Sequence, residues 1–187
     1  MPNGIFEKAK EAVTTTVKSA GDIVNTVRQT VTDLIVNTLK GVGEVAGAAL
    51  GVITDAVRGA LRGAKEAGAE ITDTTRAVVA GVVGAVAEVG GDIVSGARTA
   101  VKIAIREAQE LGSDVVGSAV AAVEGAVEGA GKLGRSVQEV AKGTVEQAIE
   151  TAGEISKDTA DAVRKGLSSA ASIPKDVLDS ALGRKED

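Results

Sequence analysis

The chain has 187 residues, a formal net charge of −5 and no histidine, cysteine, tryptophan or tyrosine; Phe6 is its one aromatic residue. The lack of histidine and cysteine excludes the usual zinc, iron–sulfur and copper ligand sets, as well as cysteine and Ser-His-Asp nucleophiles. The lack of a basic block and of stacking aromatics argues against nucleic-acid binding. We therefore predict that the protein is not an enzyme, that it uses no cofactor, and that it has no catalytic, cofactor-binding or metal-binding residues.

The N-terminal segment carries no sign of export. Residues 1–11 are polar and contain no apolar stretch of the kind that a signal peptide needs. The longest uncharged run, residues 77–87, has 11 residues, well below the ~20 required to cross a bilayer. We expect a cytoplasmic protein that lies peripherally on a membrane or granule surface and does not cross it.

From the first residue onward, apolar residues recur with a period of eleven. Seventeen blocks of 11 residues account for the whole chain, and fifteen of the 17 block-initial residues are apolar. Eleven residues make three helical turns at about 3.67 residues per turn, so the apolar stripe runs nearly straight along a helix. Pro2 and Pro174 are the only prolines, so nothing between them forces a break. The pattern predicts an all-α fold of long amphipathic helices on an 11-residue (hendecad) repeat, either extended or folded into a thin antiparallel hairpin or bundle.

The repeat also suggests how the chain is divided. We predict that residues 1–176 form one continuous amphipathic helical region and that residues 177–187 are a last repeat with a frayed, charged tail. A 22-residue super-repeat is clearest over residues 57–167, where the second block position alternates between valine and glycine. The fifth position alternates in the opposite sense, with one exception, between alanine and a β-branched residue. Glycine plus isoleucine fills about the same volume as valine plus alanine, which predicts a volume-conserving exchange on one helix face.

The alternating glycines, Gly90 and Gly112 among them, have two interpretations. They are notches that admit the backbone of a neighbouring helix, or they are C′ residues followed by a Ser or Asp N-cap, which divides the chain into helices of ~20 residues. The constant phase favours long helices, because a loop need not preserve an 11-residue register. The chain has 24 glycines, and each costs ~1 kcal/mol relative to alanine inside a helix. We therefore expect a helix that forms only when its apolar stripe is buried.

The polar side of the repeat is sorted by charge. Position 11 of the block is acidic in 11 of 17 blocks, and position 4, at one edge of the stripe, adds four acidic residues. Position 10, at the other edge, is basic in seven blocks. Two interpretations stand side by side. One is a solvated face with i,i+4 ion pairs, and the other is lateral pairing of the basic flank of one helix with the acidic flank of the next.

Residues 122–132 (AVEGAVEGAGK) illustrate the composition of these blocks, which are rich in valine, alanine and glycine. In this respect the chain resembles 11- and 22-residue amphipathic-helix repeat proteins, namely synucleins, perilipins, exchangeable apolipoproteins and the phasins that coat storage granules. The resemblance implies reversible coating of lipid surfaces.

The function that we predict is a non-enzymatic coat for a lipid or other apolar surface, such as a membrane, lipid body or storage granule. The alternative is a self-assembling structural protein that forms a right-handed or straight helical bundle or filament. The expected partners are a lipid or apolar surface and further copies of the chain, without nucleic acid. The predicted apolar interaction face consists of Val89, Ile93, Val101, Ile105, Leu111, Val115, Val123, Val127, Leu133 and Val137.

Overall fold

The computed structural model of the chain describes residues 2–19, 22–41, 46–134 and 136–183. This part of the chain is all-α and contains nine helices. They are α1 (Pro2–Ser19), α2 (Ile23–Lys40), α3 (Ala46–Glu66), α4 (Ile71–Glu88), α5 (Ile93–Glu110), α6 (Val115–Lys132), α7 (Val137–Ile155), α8 (Lys157–Ser168) and α9 (Lys175–Ala181). The predicted charged tail at residues 184–187 lies outside the described residues.

The prediction of long helices is wrong, because tight turns interrupt the chain at 22-residue intervals between α3 and α7. Gly68, Gly90, Gly112 and Gly134 all have a positive φ, between 62° and 79°. A left-handed backbone of this kind ends a helix, and glycine adopts it without a steric penalty. The 18-residue helices α4, α5 and α6 follow one another with four residues between them.

The turn between α5 and α6 shows how the sequence specifies the break. The Ser113 amide donates to the Ala108 carbonyl (2.9 Å) and the Gly112 amide to the Gln109 carbonyl (3.1 Å), which is a Schellman motif. The Asp114 carboxylate then accepts from the amide of Gly117 (2.9 Å) and caps α6. The interpretation of glycine as a C′ residue before an Asp N-cap is therefore correct at Gly90 and Gly112, whereas Glu70 and Ser136, at the N-cap positions after Gly68 and Gly134, accept no side-chain capping hydrogen bond.

From α4 to α7 the turns keep the 11-residue phase, because the starts of successive helices are 22 residues, or two blocks, apart. The same arrangement overturns the proposed exchange of volume on one helix face. Gly112 is exposed in the turn, whereas Val115 begins the next helix. The two residues are on opposite sides of a helix break, so they share no helix face.

The helices form two layers, with α1, α3, α5 and α7 in the odd layer and α2, α4, α6 and α8 in the even layer. Each helix from α1 to α7 contacts the next one in sequence and also the one after that. Helices two apart are parallel: Gly59 of α3 packs on Phe6 of α1, and Gly63 packs on Lys10 one turn further along. Consecutive helices are joined by short turns and packed side by side, so they run in opposite directions. The short helix α9 packs on α7.

The core between the layers is built from small side chains. Val57, Val79, Val101, Val123 and Val145, spaced by 22 residues, have no exposed surface. The central helix α4 has 12 buried residues out of 18, mostly alanine and valine. Side chains of this size let helices approach closely on several sides at once, which is why the polar arc of the repeat is only partly exposed to solvent.

Candidate interaction surfaces

Mid-helix glycines bring parallel helices of the same layer into backbone contact. A Cβ on Gly59 would overlap the carbonyl oxygen of Phe6, and a Cβ on Gly63 would overlap that of Lys10, so α3 lies directly on α1. In the even layer a Cβ on Gly81 would lie 2.7 Å from the carbonyl oxygen of Arg28. Such distances are below any real Cβ contact, so these positions require glycine.

The same contact recurs between α4 and α6. A Cβ on Gly125 would overlap the carbonyl oxygen of Arg76, and a Cβ on Gly129 would lie 3.0 Å from the Cβ of Val83. The notches are therefore formed by these mid-helix glycines and not by the turn glycines, for which the sequence pattern suggested them. Their shared spacing was a usable signal, because Gly59, Gly81 and Gly125 lie 22 or 44 residues apart inside predicted helices.

We call the helix positions of Gly59 and Gly63 the notch positions, and the residues at these positions differ from helix to helix. At the position equivalent to Gly59 and Gly81, α5 has Ile103 and α7 has Gln147. At the position equivalent to Gly63, the residues are Glu107 in α5 and Thr151 in α7. The helices α1 and α2 have no helix two places before them in the described part of the chain, and there the notch position holds Thr15 and Asn37, both exposed. The glycines thus occur where a neighbouring backbone is close.

Ion pairs also join a helix to the helix two places later in the chain. The basic residue belongs to the earlier helix and the acidic residue to the later one. All of these pairs lie within one chain, and Lys10–Glu66 joins block position 10 to block position 11. The pairs are Lys10–Glu66 (2.8 Å) between α1 and α3, Lys40–Glu88 (2.9 Å) between α2 and α4, Arg76–Glu124 between α4 and α6, and Arg106–Glu154 between α5 and α7. The pKa of Lys10 is raised, chiefly by its hydrogen bond to Glu66, and the pKa of Glu154 is lowered, chiefly by its hydrogen bond to Arg106.

One carboxylate, that of Glu107, lies fully buried between α3 and α5. Arg62 donates to it through Nε, and the Nε of Arg58 lies 3.3 Å from its other oxygen. The same two arginines reach the half-exposed Glu110 at 2.8 and 3.5 Å. The pKa of Arg62 is raised, first by its hydrogen bond to Glu107. The Arg62 guanidinium also lies 5.8 Å from the ring centre of Phe6, which links three helices of the odd layer.

A further ion pair spans the even layer. Arg28 of α2 reaches Glu128 of α6 at 3.4 Å, although α4 packs between these two helices. The small residues of α4 explain the short span, because Gly81 faces α2 and the Ala80 backbone faces Gly129 of α6. The even layer is therefore narrow enough for its outer helices to pair across the middle one.

The structure places the ten residues of the predicted apolar face mostly inside the molecule. Four are buried in the core: Val101, Ile105, Val123 and Val127. Five are partly buried and pack against that core: Val89, Ile93, Leu111, Val115 and Val137. Leu133, which follows the last residue of α6, is 37% exposed. In this folded state the stripe faces neighbouring helices and is not gathered into an external surface.

The exposed surface of the described residues offers little apolar area. Its large exposed hydrophobic side chains, Val24, Leu50 and Leu133, belong to different helices or helix ends. A cavity of about 440 Å³ lies between the N-terminal parts of α3 and α5, lined by Leu50, Ile53, Ser95 and Gly96 among others. Within the described ranges, no cluster of three acidic side chains could hold a metal ion. No described helix combines the length and apolarity that a membrane span requires.

Comparison with known proteins gives structural similarity to a designed helical repeat protein. No protein-family model matches this sequence, and no curated protein matches it. The chain is similar to the crystal structure of the de novo designed helical repeat protein DHR7, with 16% sequence identity and a TM-score of 0.36. The similarity covers 98% of this chain and 94% of the designed one. A similarity of this size adds nothing to the fold described above.

Proposed function

We propose that the chain is a non-enzymatic structural protein that works in its folded state as a helical-repeat scaffold. The observation that carries this proposal is that the apolar stripe is buried inside the folded chain. Val101, Ile105 and Val123, which a surface coat would present to lipid, have no exposed surface in the folded chain. The apolar stripe of each helix packs against adjacent helices, so the chain buries these apolar residues within itself.

The mid-helix glycines support the folded state as the working state. A glycine inside a helix costs ~1 kcal/mol relative to alanine. At Gly59, Gly81 and Gly125 that cost has a use only when another backbone lies against the helix. A helix that coats a lipid surface has no need for a glycine on a flank that faces neither lipid nor another backbone.

The exposed polar residues of α1 and α2 support a scaffold that works as a single chain. On α1 and α2 the notch position holds the exposed residues Thr15 and Asn37 in place of glycine. At the other end, Val177 and Leu178 of α9 are buried, and α9 packs on α7. Polar outer faces on terminal repeats keep solenoid proteins from stacking on one another. We therefore propose a monomer in solution, in place of the homo-oligomer expected from the sequence.

Reversible coating of a lipid or granule surface is the second candidate function. It is favoured by the apolar stripe itself and by the glycine content, which weakens each helix in isolation. Coating requires the two layers to separate and the stripes to turn outward, because the described surface exposes few large apolar side chains. A peripheral location on a membrane or granule belongs to this second candidate.

Circular dichroism and light scattering of the purified chain distinguish the two functions. The scaffold predicts a strongly helical chain in dilute buffer, with cooperative unfolding and the mass of one 18.6 kDa chain. It also predicts no further gain of helix with phospholipid vesicles or a triglyceride emulsion. A chain that is a coil in buffer and becomes helical on lipid would overturn the scaffold and support the coat. A stable helical oligomer would instead support self-assembly.

A further inference from the structure

The contact between α3 and α5 lacks the glycine notches that hold α3 on α1, α4 on α2 and α6 on α4, and we infer that it is a joint at which the scaffold changes its curvature. In this inference α2, α4 and α6 form a rigid spine, and the odd layer opens or closes beside it. The inference rests on the proposed function only in requiring the folded state.

The spine is held by backbone contact. Gly81 lies against the Arg28 carbonyl, Gly125 against the Arg76 carbonyl, and the Thr32 hydroxyl lies 3.0 Å from the Gly81 carbonyl oxygen. Contacts of this kind are short-range, because a gap of about 0.5–1 Å already forfeits a quarter to a half of the dispersion energy. The helices of the even layer therefore resist separation.

The α3–α5 contact lacks these notches. Ile103 and Glu107 occupy the two positions that hold Gly59 and Gly63 in α3, and the larger side chains keep α5 away from the backbone of α3. The two helices also contact each other less extensively than the glycine-notched pairs do. Side chains, and not the backbone, set the spacing of this pair.

Charged side chains bridge the gap. Arg58 and Arg62 of α3 hold Glu107 and Glu110 of α5, and both arginines and Glu110 are about half exposed. The attraction between charges falls only as the inverse of their distance, so it changes gradually when the helices move apart. A contact held by such pairs yields more readily than one held by backbone packing.

The cavity of about 440 Å³ lies at the end of this contact that is remote from the ion pairs. Leu50 and Ile53 of α3 line one side, Ser95 and Gly96 of α5 line the other, and Val86 of α4 lies between. The N-terminal parts of α3 and α5 both line this cavity, while Arg62 and Glu107 hold their C-terminal parts together. This asymmetry gives the pair room to pivot about α4.

Two pairs of spin labels test the joint. Because the sequence has no cysteine, labels attach only at the introduced cysteines. The joint pair is Gly51→Cys with Ser95→Cys, which spans α3 and α5. The spine pair is Ala87→Cys with Gly131→Cys, at equivalent places on α4 and α6. A Cβ at Gly51 or Gly131 meets no atom within 4 Å, so both glycines tolerate the change. Distance distributions are measured by electron paramagnetic resonance at about 10 mM and about 1 M salt, between which the screening length falls from about 30 to 3 Å.

The joint predicts that high salt broadens the 51–95 distance and shifts it by about 3 Å, a third of an ordinary interhelical distance of roughly 9 Å. The 87–131 distance should stay constant. The double substitution Glu107→Gln and Glu110→Gln should produce the same change at low salt. If helicity is retained and both distances respond equally, or neither responds to salt or substitution, the joint is wrong while the scaffold stands. If both distances are broad at low salt and helicity is absent, both proposals fail.

Discussion

The Cα of Gly125 in α6 lies so close to Arg76 of α4 that a Cβ on the glycine would overlap the arginine carbonyl oxygen. Gly125→Ala should therefore destabilise the protein by about 1–3 kcal/mol, because the added methyl group must push two backbones apart. Gly131 is the matched control in the same helix, since nothing lies within 4 Å of its added Cβ.

Gly131→Ala should stabilise the protein by up to ~1 kcal/mol, because alanine is the better helix former. Urea unfolding followed by circular dichroism measures both variants. The two substitutions should change the stability in opposite directions, whereas a helix on a lipid surface would gain stability from either one. Equal stabilisation by both would show that the α4–α6 contact does not form.

Gly112 tests the helix breaks. Its φ of 63° suits glycine and, to a smaller extent, asparagine, whereas alanine is strained there. We expect Gly112→Ala to cost about 1 kcal/mol and Gly112→Asn to cost less. If α5 and α6 were instead one continuous helix, alanine would stabilise that helix and asparagine would stabilise it less. The same unfolding experiment gives the order of the two variants.

These breaks were only partly predictable from the sequence. The 22-residue alternation and the Ser-Asp pair after Gly112 specify a turn, and both were recognised as one of two interpretations. The constant 11-residue phase favoured a continuous helix, but a tandem unit of fixed length keeps its phase through every turn. Local propensity at Gly112 therefore decides the structure, and periodicity does not distinguish the two cases.

The buried carboxylate of Glu107 should matter more than the exposed ones. Glu107→Gln removes the charge that faces Arg58 and Arg62 and should cost about 2 kcal/mol, because it leaves the arginines without their buried partner. Glu154→Gln is the control, since its ion pair with Arg106 is exposed and worth little. Equal effects in urea unfolding would contradict the buried position of Glu107.

The pKa values of two carboxyl groups, those of Asp22 and Asp55, should lie on opposite sides of the usual aspartate pKa. The amide of Asn25 lowers the pKa of Asp22 by hydrogen bonding, and burial raises the pKa of Asp55. The contribution of Asp22 is therefore complete above the usual aspartate value of 3.8 and is lost as the pH falls through its lowered pKa. Ionised Asp55 opposes folding above its raised pKa, and that cost disappears below 3.8.

Carboxyl titration by NMR checks this order directly. Asp55→Asn should stabilise the protein at neutral pH, because it removes a charge that burial disfavours. Asp22→Ala should destabilise it at neutral pH and have no effect in strong acid, because the cap is then already protonated. An Asp22 pKa above that of Asp55 would contradict the described environments of both groups.

The charged flanks were recognised in the sequence, but their partners were not. Position 10 of the repeat supplies Lys10 and Arg76, and both pair with acidic residues on the helix two places later. Sequence periodicity gives the side of a helix on which a charge lies, and it does not say whether the facing helix belongs to the same chain. Whether the facing helix belongs to the same chain depends on the turns. The glycine notches that bring each helix against the one two places later carry no hydrophobic signal.

The central claim is that the isolated chain folds into short helices whose apolar stripes pack on one another. Native-state amide hydrogen exchange of the free chain tests it most directly. The account predicts slow exchange in the middle of α4 (Ile71–Glu88), α5 (Ile93–Glu110) and α6 (Val115–Lys132), with fast exchange at Gly90 and Gly112 between them. Uniformly fast exchange, or protection that continues through Gly90 and Gly112, would contradict it.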